Sequence, residues 1–348
     1  MRIFDTPDHA RHDAQCELHN GRLVRSFECP ERLTAIRTAL AERGFDPPLA
    51  PDPVPRDLLE RVHCPSYLGF LETAHGRWVA EHGPGEAIAY TYPVPGLRRD
   101  APPETIAGAL GHYNFSVDTT ITEGSWPAAL SAAAAAHAAA RHTAETRAPA
   151  FALARPPGHH AHRDLYGGYC YLNNAAIAVE TLLSAGASRV ALLDIDYHHG
   201  NGSQAIFWER SDVLFASIHA DPAREFPYFL GHAAETGGGA GAGLTLNYPL
   251  PAGTGIGPWR AALEAAAGAI GGFAAEALVV SLGVDTHRED PISRFTLETE
   301  DYPGIGARIR ALGLPTVFVM EGGYAISALG ANVAAVLGGF LRPEEAGR

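Results

Sequence analysis

Lysine is absent from this chain: all 26 basic residues are arginine, set against 39 acidic ones. That excludes a Schiff-base lysine and the lysine of a Walker-type phosphate loop. Cysteine is scarce, and the four present (Cys16, Cys29, Cys64, Cys170) show no CxxC spacing, which argues against a thiolate-rich structural zinc site and agrees with reduced thiols. No run of 18 apolar residues occurs, and the start MRIFDTPDHARHD lacks a signal-peptide core. A cytoplasmic protein with no membrane contact is expected. The formal charge of −13 favours a small polycation over nucleic acid as partner, because an acidic field attracts cations. The glycine run 237–243 (GGGAGAG) follows Glu235-Thr236 and leads into a strand rather than a helix, so it reads as a flexible rim loop and not a phosphate cradle.

With 348 residues, 46% of them hydrophobic, the chain can bury the core of one large α/β domain spanning 1–348. Apolar runs at 150–154, 189–195, 213–219, 277–283 and 315–320 predict strands separated by helical stretches, hence right-handed crossovers and a mostly parallel sheet flanked by helices in three layers. An alanine-rich helix is predicted over 127–143. Its His137 and His142 read as surface or packing residues.

The most informative stretch is Leu192-Leu193-Asp194-Ile195-Asp196-Tyr197-His198-His199-Gly200-Asn201-Gly202. It puts acids and an imidazole at the carboxyl end of a buried strand, where open α/β sheets bind ligands. Period-two alternation sends Asp196 and His198 the same way, and a carboxylate beside a neutral imidazole suits a borderline divalent ion such as zinc. Taken alone, the run would also serve as a polar strand end capping the next helix. The strand 277–283 (ALVVSLG) also ends in an acid, Asp285. Asp196, His198 and Asp285 then make three ligands with a position left open for water, a catalytic rather than a structural pattern.

Two further elements meet this edge. Arg155-Pro156-Pro157-Gly158-His159-His160-Ala161 holds paired imidazoles on a rigid backbone, suited to general base and general acid work. Asp194 and Asn201 are the nearest candidate partners: an Asp contact raises one histidine pKa, whereas an Asn contact orients the other ring without charge. After the strand ending at Met320, Glu321-Gly322-Gly323-Tyr324 offers a phenol that can hydrogen-bond an oxyanion. By itself such a tyrosine is an ordinary half-buried aromatic. Cys170, in GGYCY, reads as small buried packing.

RPPGHHA, GGYCYLNNAAIA (167–178), LLDIDYHHGNG, SLGVD and MEGGY stand in the order found in the arginase-like metal-dependent deacetylases. The chain resembles that superfamily of histone deacetylases, acetoin-utilisation proteins and acetylpolyamine amidohydrolases. ELHNGRLVRSFECPERL, DPAREFPYFLGHAAETGGGAGAG (221–243) and GVDTHREDPISRF (283–295) are similar to the acetylpolyamine amidohydrolase branch. The resemblance implies the arginase/deacetylase fold, zinc (or ferrous iron) on Asp196, His198 and Asp285, and catalytic roles for His159, His160 and Tyr324. It pairs Asp194 with His159 and sets Asn201 where relatives often carry an Asp, which makes His160 the expected base. It implies potassium on Asp194, Ser217 and the main-chain oxygens of Asp196, His198 and Ile218. Tyr169 and Phe226 match tunnel walls, Gly168 the tunnel floor, and Ile292 joins the substrate-binding set. An insertion at about 81–126 is implied to shape a narrow entrance and a homodimer contact, with Asp118 facing a substrate ammonium. A second acidic position falls on Ala107, with Glu104 three residues upstream. The implied reaction is hydrolysis of small acetylated polyamines, with acetyl-lysine deacetylation and an inactive binding module as alternatives.

Overall fold

Runs of branched and small apolar side chains fix the strands, and their alternation fixes the layers. The structure, a computed structural model, describes residues 1–342, so the last six residues of the 1–348 domain lie outside the described residues. The strands are β1 (Arg2–Phe4), β2 (Glu17–His19), β3 (Arg22–Val24), β4 (Ala150–Ala152), β5 (Val190–Asp194), β6 (Val213–Ala220), β7 (Thr245–Leu250), β8 (Ala277–Leu282) and β9 (Thr316–Met320). Seven of them form one sheet in the order β1-β4-β9-β8-β5-β6-β7. Every pairing in it is parallel.

Both faces of the central strands are buried, as parallel sheets require. Val190, Leu192, Val279, Val317 and Val319 point into one apolar layer, under the helices Pro65–His82, Ser125–Thr146 and Asn174–Ser184. Their neighbours Ala191, Leu193, Val280, Phe318 and Met320 point into the other, under Glu31–Glu42, Ile256–Phe273, Tyr302–Arg310 and Ile326–Leu341. Alternate residues leave a strand on opposite sides, so one stretch of sequence serves two cores. The alanines of Ser125–Thr146 are buried along most of its length, because small side chains let the helix lie close to the sheet.

The three-layer α/β fold expected from the sequence is thus present, with shifted boundaries. β4 ends two residues earlier than expected, β5 loses a residue at each end, and the alanine-rich helix runs three residues longer at its C-terminal end. β1 and β7 extend the sheet beyond the five expected strands. β1 has only three residues, too few to show a period. The antiparallel hairpin β2–β3 turns at Asn20-Gly21, whose φ values of 49° and 74° match the type I′ turn that Asn-Gly favours. Among the described residues, no helix is long and apolar enough to cross a membrane.

The topology also places the site. From β5 the chain moves outward to β6 and β7, then returns to the other side of β5 for β8 and β9. β5 is therefore the switch point, where loops diverge and leave a crevice beyond the carboxyl ends.

Candidate active site

Four loops leave the carboxyl ends of β4, β5, β8 and β9 and converge on that crevice. From β5 and β8 come Asp196, His198 and Asp285, whose ligand atoms all lie within 4.8 Å of one another. His198 Nδ1 is 3.0 Å from Asp285 Oδ2 and 3.4 Å from Asp196 Oδ1. Backbone amides aim the carboxylates: Gly322 N donates to Asp196 Oδ2 at 2.7 Å and Tyr197 N to Asp285 Oδ1 at 2.8 Å. Glycine is required beside them. A Cβ on Gly283 would stand 2.1 Å from Asp196 Oδ2, and one on Gly322 would stand 2.6 Å from a carboxylate oxygen of both acids.

These carboxylates are fully buried, with histidines to balance them. Burial, then the charge on Asp196, pushes Asp285 up to about 8. Burial also opposes charge on Asp196, but His159 and His198 outweigh it and hold that carboxyl below the usual range. Two acids and an imidazole gathered out of water, their oxygens and nitrogen turned together, fit a divalent cation that would offset the buried charge.

The loop after β4 presents His159 and His160 with ring centres 4.0 Å apart and unlike partners. His159 Nδ1 meets Asp194 Oδ2 at 3.0 Å. Burial disfavours its charge, yet Asp196 and Asp194 raise it to about 10. His160 Nδ1 meets Asn201 Oδ1 at 2.6 Å, and burial followed by the charges of His159 and His198 drives it well below the ordinary value. Asn201 is itself turned by His162, whose Nε2 lies 2.8 Å from Asn201 Nδ2. With the amide nitrogen committed there, Asn201 Oδ1 accepts from His160 Nδ1–H, and His160 Nε2 is left as a proton acceptor.

Tyr324 is held from three sides. Its N–H donates to Asp290 Oδ2 at 2.7 Å, the Arg32 guanidinium sits 4.8 Å from its ring centre, and its ring meets Tyr169 edge-on at 5.6 Å. Arg32 is fully buried and donates to the carbonyls of Gly323 and Glu321 and to Glu28. Glu321 accepts from the amides of Gly158 and His159 at 2.6 and 3.1 Å, tying the histidine loop to the tyrosine loop. Sequence reasoning missed these supports: Arg32, Glu321, His162 and Asp290. Glu321 was within reach, as the polar residue directly after β9.

A cavity of about 420 Å³ opens onto this centre, lined by His160, His198, Gly168, Tyr169, Phe226, Ile292, Asp118 and Tyr324 among others. All the expected tunnel residues are brought together there. His159 does not line it. Gly168 and Tyr169 both have positive φ (56° and 66°), a turn fixed by Asp118 Oδ1 on Gly168 N and Thr119 Oγ1 on Tyr169 N. Asp118 lies half-buried in a turn, not on a helix. Glu104 and Ala107 are not among the lining residues. Of the 81–126 segment, Ser116, Val117 and Asp118 reach the cavity wall. Beside the centre, register pairs Asp194 of β5 with Ser217 of β6, and Ile218 follows on the same strand. Ser217 Oγ lies 2.8 Å from His219 Nδ1.

The chain is similar to known proteins over nearly all of its length. Residues 26–340 match the histone deacetylase domain. Acetylpolyamine amidohydrolase 1 of Pseudomonas aeruginosa is 51% identical, over 96% of each chain. The acetylpolyamine amidohydrolase of Mycoplana ramosa is 50% identical, over 97% of this chain and 99% of its own. A crystal structure of acetylpolyamine aminohydrolase from Burkholderia pseudomallei superposes with a TM-score of 0.92 at 38% identity, covering 98% of both chains. A chain with this fold, this buried centre and a match running almost from end to end belongs to the histone deacetylase domain family.

Proposed function

We propose that this protein is an amidohydrolase that removes the acetyl group from small acetylated polyamines, such as acetylputrescine, acetylcadaverine and acetylspermidine, giving acetate and the free amine. The observation that carries the reading is the convergence of Asp196, His198 and Asp285 with His160 and Tyr324 at one cavity. The names of the similar proteins support the substrate class. So do the net charge of −13 and the acid Asp118 on the cavity wall, which favour a cationic substrate.

Asp196, His198 and Asp285 would hold zinc or ferrous iron, which when bound supplies a Lewis acid that polarises the acetyl carbonyl and acidifies water. The remaining chemistry falls to the chain. His160 Nε2 takes the proton of the attacking water, since Asn201 keeps its Nδ1 as donor. The Tyr324 hydroxyl donates to the oxyanion as it forms, a contact stronger in the transition state than in the ground state. Burial keeps that phenol protonated for the task, despite the opposing pull of Arg32. His160 then returns its proton to the departing nitrogen, because it lines the cavity and His159 does not. His159, paired with Asp194, stands behind the reacting centre and backs His160. Asp194, Ser217 and the main-chain oxygens of Asp196, His198 and Ile218 would hold potassium. Tyr169, Phe226, Gly168 and Ile292 would enclose the methylene chain, and the 81–126 segment would narrow the entrance and contact a second copy in a cytoplasmic homodimer.

The test is kcat/KM of the zinc-loaded protein on acetylputrescine, acetylcadaverine, acetylspermidine and an acetyl-lysine peptide side by side. Preference for the small amines is expected. Preference for the peptide would make it a lysine deacetylase, and no turnover of any of them would leave a binding module.

A further inference from the structure

Glu17, the first residue of the ELHNGRLVRSFECPERL stretch and part of the hairpin strand β2, is only 1% exposed. Its three partners are neutral donors. Oε1 accepts from the Tyr169 hydroxyl at 2.8 Å, and Oε2 accepts from Ser26 Oγ at 3.0 Å and Phe27 N at 3.2 Å. Leu18, His19 and Asn20 of the same hairpin line the cavity, whereas Glu17 does not. It stands behind the wall that Tyr169 makes.

Tyr169 needs such an anchor. Its backbone is in the left-handed region at φ 66°, where a bulky residue is strained, and its ring is the one that meets Tyr324 edge-on. The backbone end is held by Thr119 Oγ1 on Tyr169 N and by Asp118 on Gly168 N. The phenol end is held by Glu17. A buried phenol also needs a hydrogen-bond partner, and Glu17 Oε1 supplies the acceptor oxygen.

We propose that Glu17 is a positioning residue that sets the bore of the substrate tunnel by fixing the Tyr169 ring through its hydroxyl. The assignment rests on the reading of Tyr169 as tunnel wall. A ring released from Glu17 would pivot about its strained backbone, and the grip on the methylene chain would loosen while the Asp196, His198 and Asp285 centre stayed as it is. Glu17 thus acts on substrate binding more than on the chemical step.

Steady-state kinetics on acetylcadaverine with Glu17→Ala, Glu17→Gln, Tyr169→Phe and the Glu17→Ala/Tyr169→Phe double variant test this. Glu17→Ala should raise KM by about fivefold or more with a much smaller change in kcat, and Glu17→Gln, which keeps an acceptor oxygen, should recover most of the loss. On the Tyr169→Phe background, Glu17→Ala should add no further rise in KM. Equal losses with alanine and glutamine, or additive losses in the double variant, would overturn the assignment. Hydrogen exchange of residues 167–171 is read in parallel and needs no substrate: exchange should speed up in Glu17→Ala and stay near wild type in Glu17→Gln. If the wild-type protein does not turn over acetylcadaverine, the substrate reading falls. Exchange then decides Glu17 alone, and unchanged exchange in Glu17→Ala overturns its positioning role.

Discussion

Asn201 Oδ1 lies 2.6 Å from His160 Nδ1, where the neighbouring histidine, His159, has the carboxylate of Asp194. The two imidazoles of one dipeptide differ in proton affinity: Asp196 and Asp194 raise that of His159, whereas burial and the charges of His159 and His198 lower that of His160, which has only a neutral amide as partner. Substituting Asn201→Asp should remove that distinction by charging the partner of His160. The His160 pKa should then rise by about one unit or more, moving the acid limb of the kcat/KM profile to higher pH. An unmoved limb would show that His160 is not the group titrating there.

Tyr324→Phe removes one hydroxyl and leaves the ring against Arg32 and Tyr169 in place. kcat should fall by about 10²- to 10³-fold, as for loss of one oxyanion donor. His160→Ala should cost about 10²- to 10⁴-fold through loss of the base. Both variants should keep the wild-type circular dichroism and melting profile. Near-normal rates in either would refute the proposed role.

Gly322→Ala places a methyl group where Asp196 and Asp285 bring their oxygens together. The carboxylates must then part, and zinc affinity measured by equilibrium dialysis should drop by about tenfold or more. Unaltered affinity would mean that Asp196 and Asp285 are not its principal ligands.

The acid side of the stability profile should report a buried histidine away from the centre. His63 is fully buried, donates from Nδ1 to the His162 carbonyl and accepts at Nε2 from Asn173 N. Burial pushes its pKa down to about 3, although the His162 and Arg163 backbone groups oppose this. Below about pH 6.5 the unfolded chain therefore binds a proton that the folded one refuses, so stability is full above that pH and is lost as pH falls toward 3. Each such group contributes up to about 1.4 kcal/mol per pH unit. Urea unfolding of His63→Gln between about pH 4 and 6.5 should show a shallower slope than wild type, whatever its absolute stability. Parallel slopes would mean that His63 titrates normally.

Much of the centre is legible in the sequence alone. Asp196 and His198 follow one short apolar run and Asp285 another, and parallel strands bring their carboxyl ends to one edge, so two separate motifs read as one site. The sheet pairs β5 with both β6 and β8, in the register Asp194 with Ser217 and Asp194 with Ser281, which is the alignment such a site requires. The supports are not legible. Arg32 reaches Gly323 across 291 residues of sequence, and Glu17 reaches Tyr169 across 152. A lone arginine or glutamate carries no period and no spacing that marks such a partner.

What the sequence determined was the alternation of apolar side chains that builds two cores on one sheet, together with the identity of the reactive groups at its edge. Burial follows local composition and period, both of which are written along the chain. Tertiary structure decided which histidine meets an anion and which an amide, where glycine is compulsory beside the acids, and that Asp118 sits in a turn against the Gly168-Tyr169 backbone. Hydrogen bonds and ion pairs depend on angstrom distances between groups far apart in sequence, and those distances exist only once the layers have packed.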